Sequence, residues 1–435
     1  MEILYQILIF IIFIIILVSY SREKWDFVSI SLLGMIICAL IVAFSSSLTI
    51  KDYIGFIEIK ALILILSMQI ITQISKESHL LEYFAIRMFR LSRGNQRLFL
   101  YIMCLTGAFL AAMISDVVVV LILVPIIIRI CSFLKVKAGT YLLALTIVIN
   151  IGSIFTPFSS GENIIISQHF QLNTSYFITY YWGFSFIILF LTIFLIDFLI
   201  LRKEPKIEIA RKELILEILN PSIVIINKKL FVFNAIFFLG TIISFVLISQ
   251  MYIIALISAM ILVLVNNRHG ERPLKEVLKK INWEIVFFFI AMFIIIGCMK
   301  EIGIFDIIQL KNLRDYNPII MSVIILLLVS FLSGLLANTP IMLIFLPIID
   351  SLISVFNFPS IPLIFSLLVA VNLGGNILPQ GAMCDVFTLK IAQENNVENL
   401  TYKRLLKNGA IFALIHISIS SIILIFLNIF HAVGA

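Results

Sequence analysis

Residues 98–134 read LFLYIMCLTGAFLAAMISDVVVVLILVPIIIRICSFL, an apolar stretch of 37 residues broken midway by Ser115-Asp116. As one α-helix it would be about 55 Å long, close to twice the ~30 Å hydrocarbon core of a bilayer. A helical hairpin with Ser115-Asp116 at its tip fits instead. A second such stretch, 318–356, is interrupted by Asn338-Thr339-Pro340 and has the same reading. Outward from these hairpins, apolar runs place ten further crossings at about 3–20, 27–44, 59–75, 140–168, 176–201, 229–249, 251–266, 284–299, 361–390 and 408–431. The chain of 435 residues is 62% apolar and 13% charged, which excludes a soluble globular protein. Barrel strands would alternate in polarity, and open sheets leave backbone groups unpaired in lipid. The fold expected is an all-α polytopic membrane protein.

Charge sets the orientation. The formal net charge is +7, but no basic patch is interleaved with aromatics, so the bilayer and not nucleic acid is the expected partner. Assigning 19–26, 76–97, 129–137, 202–229, 268–280 and 390–407 to the cytoplasm places 26 of the 31 basic residues there. The opposite loops 168–176, 249–252 and 356–360 carry no Lys or Arg, which puts both termini outside a plasma membrane. The stretch 3–18 lacks a basic n-region and an A-x-A site and reads as a retained span. Cys38, Cys104, Cys131, Cys298 and Cys384 show no metal or disulfide spacing, and 80–97 reads as a basic interfacial helix.

The chain is duplicated. Phe109-Leu110, Asp116, Pro125-Ile126-Ile127, Asn150, Gly152 and Pro157 match Phe331-Leu332, Asn338, Pro347-Ile348-Ile349, Asn372, Gly374 and Pro379 at one spacing of 222 positions (338 − 116). The expected organisation is an N-terminal repeat at 1–205, with hairpin 98–134 and broken helix 140–168, and a cytoplasmic linker at 206–228. A C-terminal repeat follows at 229–435, with hairpin 318–356 and broken helix 361–390. Each repeat has five transmembrane crossings plus one helical hairpin. An odd number of crossings inverts the second repeat relative to the first, the arrangement of many secondary transporters.

In such proteins the substrate binds where helices are interrupted near the midplane. Two kinds of interruption occur in each half: the tips Ser115-Asp116-Val117 and Ala337-Asn338-Thr339, and the Gly- and Pro-containing breaks 150–157 and 372–381. Ser, Asp and Asn are good N-caps, so each tip is expected to present a capped helix N-terminus. Asp116 stands within an apolar stretch, where a carboxylate needs a proton, a cation or a partner; its simpler reading is a cap facing water. Asp385 and Glu162 read equally as caps or ligands. Asn150 and Asn372 read as ligands or as interhelical glue. Asn163 follows the first break and Asn376 lies in the second; both join the candidates. Cys384 reads as a small buried hydrophobe.

The motifs SDVVVVLILVPI, ANTPIMLIFLPI, NIGSIFTP and NLGGNILPQG, with MFIIIGCMKEIGIFDII at 292–308, resemble the ion transporter superfamily over nearly the whole chain. That superfamily contains arsenite permeases, sodium/proton antiporters and citrate and dicarboxylate carriers. The resemblance implies an elevator-like transporter with two cation sites around a substrate. The first would use Ser115, Asp116, Asn150, Gly152 and Thr156, and the second Asn338, Thr339, Asn372, Gly374 and Asp385, with Na⁺ at Asp116, Asn150, Asn338 and Asn372. Dicarboxylate carriers usually carry Ser-Asn-Thr at both tips, and arsenite permeases usually follow Thr-Pro with Ile-Gly-Asn-Pro. Here Ser-Asp-Val, Ala-Asn-Thr and Phe158-Ser159-Ser160-Gly161 stand in those places.

The function expected is a secondary active transporter coupled to H⁺ or Na⁺, with no other cofactor and no enzymatic activity. No Lys or Arg occurs at a tip or break, which favours a small oxyacid such as arsenite over a multiply charged anion. A di- or tricarboxylate symporter and a Na⁺/H⁺ antiporter remain the alternatives within the class. An intramembrane enzyme would need a catalytic set, and the pair Asp116 with Asp385 lacks a GxGD context; a passive channel would not need breaks in both halves. The sequence is compatible with a homodimer and, for an arsenite pump, with a cytoplasmic ATPase subunit, since the chain has no Walker motif of its own.

Overall fold

Continuous apolar sequence gives helices throughout, and among the described residues there are no strands. The computed structural model describes residues 2–20, 25–205, 225, 227–270, 274–305, 316–397 and 399–434. Most of the expected linker 206–228, and the last three residues of the 292–308 motif, lie outside them. Among the described residues, 11 helices are long and apolar enough to cross a membrane. They include one arm of each hairpin, Asp116–Leu134 and Pro318–Leu336, while Ser360–Gly374, the first part of the expected crossing 361–390, is shorter. That is how ten expected crossings and two hairpins meet a count of 11. The expected interfacial helix 80–97 is helical over Leu80–Arg90, with Leu81, Ala85 and Phe89 buried on one face.

The helix starts keep the spacing of the sequence duplication. Gln96 and Pro318, Asp116 and Asn338, Ala138 and Ser360, and Gly161 and Met383 each open a helix, every pair 222 positions apart. Pro125 and Pro347, also 222 apart, lie inside Asp116–Leu134 and Asn338–Ser354. Helices packed among others in a membrane tolerate such prolines, because neighbours satisfy the freed carbonyls.

Packing divides the chain into two compact units. The first comprises Met1–Leu62, Asn282–Gly375 and Ile417–Ala435. In it Phe27–Ser45 packs against both Glu2–Tyr20 and Trp283–Glu301, and Ser360–Gly374 packs against both arms of the second hairpin. Asp26 caps Phe27–Ser45 by accepting from the Ser29 N–H at 3.1 Å and the Ser29 hydroxyl at 2.5 Å. Those two bonds hold its carboxyl below the usual carboxylate range.

The second unit comprises Ile63–Ile281 and Asn376–His416. Its axis is Ala138–Gly152, all 15 residues of which are buried. Gln96–Ala111, Asp116–Leu134, Gly183–Leu199 and Met383–Glu394 pack around it. Lys228–Leu247 pairs with Met251–Gly270, and the amides of Asn234 and Asn266 bond reciprocally between them at 3.1 and 2.8 Å. At the start of the axis, Gly139 N–H donates to Asn399 Oδ1 at 2.8 Å, and Arg404 donates to Asn399 O at 2.5 Å and to Thr140 Oγ1 at 2.6 Å. Thr140 in turn donates to Glu204.

Candidate functional site

The first break follows from Ala138–Gly152 running out of helix. A tight turn at Ser153–Phe155 leads into extended backbone at Thr156 (φ −137°, ψ 154°), and Ser160 opens Gly161–His169 by accepting from Asn163 N–H at 3.2 Å. The carbonyls freed by the break find partners inside it. Ser159 Oγ reaches Ser153 O at 2.5 Å and Thr156 O at 3.0 Å. Asn163 Nδ2 donates to Ser153 O at 2.6 Å and lies 3.1 Å from both Thr156 O and Ser159 Oγ. Thr156 Oγ1 donates to Ala112 O at 2.5 Å, which ties the break to the first hairpin tip.

At that tip the expected side-chain caps do not form. Ser115 occupies the cap position without a cap bond, and its hydroxyl donates to Asp116 Oδ1 at 3.2 Å. Asp116 Oδ1 also accepts from Val117 N–H at 2.8 Å. The second tip differs. Ala337 takes the cap position at φ 74°, ψ 154°, a region nearly reserved for glycine, and Asn338 Oδ1 accepts from Ser333 Oγ at 2.6 Å. Ser333 also donates to Val371 O at 3.1 Å, beside Asn372, so in the first unit the second tip is tied to its break. Asn372 Nδ2 donates to Leu368 O within its own helix at 2.8 Å, and Thr339 is buried.

Both glycines of the candidate set sit at close backbone crossings. A Cβ on Gly152 would lie 2.5 Å from Ala108 O, and one on Gly374 would lie 2.5 Å from Ser330 O. Ala108 and Ser330 are themselves 222 apart, so the two crossings are built alike. No side chain fits at either position.

In the second unit, residues from both halves of the sequence meet around Asn150, which is 3% exposed. Asn150 Nδ2 donates to Asn376 Oδ1 at 2.8 Å, and Asn150 Oδ1 accepts from Cys384 Sγ at 3.2 Å. Cys384 Sγ is 3.8 Å from Asp385 Oδ1, and Thr146, whose hydroxyl donates to Leu143 O at 3.1 Å, lies beside the Asp385 carboxyl group. Acids neighbour one another here: Glu162 lies near Asp116, and Asp116 near Asp385.

The candidates thus fall into two groups. Asn338, Thr339, Asn372 and Gly374 belong to the first unit. Ser115, Asp116, Asn150, Gly152, Thr156, Asn163, Asn376 and Asp385 belong to the second. Asp385, which the resemblance implies for the second cation site, stands beside Cys384 and so beside Asn150 of the first. The physical reason is that Met383–Glu394 packs on Asp116–Leu134 and Ala138–Gly152. Thr146 and Ser159 went unmarked in the sequence. Thr146 had a signal, since it precedes Asn150 by four residues and shares its helix face. Among the described residues no group of three or more His, Cys, Asp or Glu side chains could hold a metal ion.

An all-helical membrane fold with helices broken beside buried polar side chains defines a membrane transport protein. The profile of the family described as Citrate transporter (CitMHS) matches residues 7–370 and 253–433, and the chain belongs to this family. It is 23% identical over 376 residues to an uncharacterized transporter of Mycobacterium bovis, covering 85% of this chain and 86% of that one. It is also 23% identical over 378 residues to a 46 kDa membrane protein of Mycobacterium leprae, with the same coverage of 85% and 86%. Among solved structures, the YdaH transporter of Alcanivorax borkumensis, described as having an unusual topology, superposes with a TM-score of 0.60 at 13% identity. That superposition covers 89% of this chain and 87% of the other. The protein is a secondary transporter of the citrate transporter family.

Proposed function

We propose that the protein carries a small polycarboxylate of the citrate class across the plasma membrane, driven by H⁺ or Na⁺, with cations neutralising the substrate as it binds. The observation that carries this reading is the group around Asn150, where Asp116 of the first tip lies near Asn376 from the second break and Asp385 from the helix that follows it. The family's description supplies the substrate class. Chemistry supplies the cations. Residues 111–119, 150–163, 337–340 and 372–385 contain no Lys or Arg, so a polyanion would meet carboxylates and no fixed positive charge. Burying it there is prohibitive unless cations or protons accompany it; helix N-termini at the tips add only a fractional charge. Alternating access around the breaks would move the neutralised group without leaving a charge bare in lipid.

Arsenite is the second reading, favoured by the same absence of basic side chains, since arsenous acid is neutral and needs no counter-ion. Counterflow in proteoliposomes separates the two. Labelled citrate should exchange, and its uptake should rise with an inward H⁺ or Na⁺ gradient. Arsenite accumulation without citrate exchange would overturn the proposal.

A further inference from the structure

Asn376 lies in the second break, is 2% exposed, and spends its Oδ1 on Asn150. Its Nδ2 is fully buried and has no partner. The arrangement is directional. Cys384 S–H donates to Asn150 Oδ1, Asn150 Nδ2 donates to Asn376 Oδ1, and the chain ends in the two unspent N–H groups of Asn376. Each bond fixes the orientation of the next amide, so Asn376 is held with its donors free and its acceptor occupied. Bonds in series also polarise one another, by roughly 10–30% each, which strengthens the terminal donor. Buried donors are nearly always satisfied in folded proteins, and an orphan inside a ligand-binding region implies a ligand acceptor. A bare cation does not fit that role, because the Asn376 oxygen is turned to Asn150.

We infer that Asn376 is a substrate-selecting residue, its Nδ2 donating to a carboxylate or oxyacid oxygen of the carried molecule. This rests on the reading of the protein as an oxyacid carrier. It accounts for how a site without Lys or Arg can prefer an oxyanion: neutral amide donors contact the substrate, while Asp116 and Asp385 attend to the accompanying cation or proton. One chemistry covers both substrate readings, since citrate and arsenous acid both offer oxygen acceptors.

The test compares wild type with Asn376→Asp, which keeps an acceptor for Asn150 and removes the donors, and with Asn376→Ala. Both are purified and checked for a monodisperse profile before reconstitution. Loss of one hydrogen bond to a charged acceptor should raise the citrate KM by about 10- to 100-fold, with the maximal exchange rate changing far less. An unchanged citrate KM in the variant that folds would overturn the inference and leave the proposed function standing. Should wild type exchange arsenite and not citrate, the polycarboxylate reading falls, and the same rise in KM is then required for arsenite. Exchange of neither substrate by wild type would overturn both.

Discussion

Asp116 is the residue on which coupling is most directly tested. Its counterpart at the second tip is Asn338, so an amide at that place is compatible with the same hairpin, and Asp116→Asn keeps the acceptor that Ser115 and Val117 use. The substitution should leave yield and thermal midpoint nearly unchanged. It should abolish uptake driven by a pH or Na⁺ gradient, because an amide neither releases a proton nor neutralises a cation, while gradient-free counterflow persists. Gradient-driven uptake at the wild-type rate would reduce Asp116 to a structural acceptor. Ala337 gives the opposite kind of test, in stability alone. At φ 74°, ψ 154° a Cβ is strained, so Ala337→Val should cost about 2 kcal/mol or more, whereas Ala337→Gly should cost less than about 1 kcal/mol despite losing a buried methyl. Ala337→Gly costing as much as Ala337→Val would show that the backbone there is unstrained. The duplication pointed to Asp116 and the 372–381 break from sequence alone, because a carboxylate or a Gly-Pro cluster within apolar sequence has few innocent explanations. Asn163 Nδ2 donates to carbonyls of its own break, a use of the amide that its place in the sequence does not announce. No spacing rule could reveal which orphaned carbonyls a neighbouring amide would reach.

At the scale of elements, what was legible was where helices start and stop. Four starts in each half fall at one spacing, because Gly, Pro and polar residues interrupt apolar sequence at matched positions. What was not legible was how the tips are finished. Ser115 and Ala337 are counterparts, yet one is extended with φ −52° and the other has positive φ, and neither side chain caps its helix. Local propensity favoured a capping serine, but the Ser115 hydroxyl is turned to Asp116 Oδ1. The crossings at Gly152 and Gly374 are the part of the breaks that tolerates least. Even a methyl would have to displace a backbone carbonyl at 2.5 Å, and overpacking against backbone costs about 1–3 kcal/mol. Gly152→Ala and Gly374→Ala should therefore insert and purify but lose at least about tenfold in citrate exchange, since the shift falls directly beside Asn150 and Asn372. Full exchange by both variants would mean that the crossings relax at no cost to the site.

The whole molecule is divided one way by repetition and another by packing. Repetition separates the chain near the linker, while each compact unit draws segments from both halves, the second unit taking Asn376–His416 from the C-terminal one. Sequence periodicity can reveal a duplication, but which copies pack together depends on contacts between distant segments that carry no local signal. The orientation expected from charge makes the sharpest demand on this architecture, because an inverted repeat must place equivalent residues on opposite faces of the membrane. Gln171 and Gln393 are such a pair, 222 positions apart and both exposed. Gln171 lies in the loop 168–176, which has no Lys or Arg, and Gln393 lies in 390–407, which has four. All five native cysteines are buried, so a single introduced thiol should label over a low background. An impermeant maleimide added to intact cells should modify a cysteine at Gln171 and not one at Gln393, and permeabilised or inverted membranes should reverse the contrast. Labelling of both from the same side would make the halves parallel. It would remove the odd number of crossings on which the inverted arrangement rests, whatever the substrate proves to be.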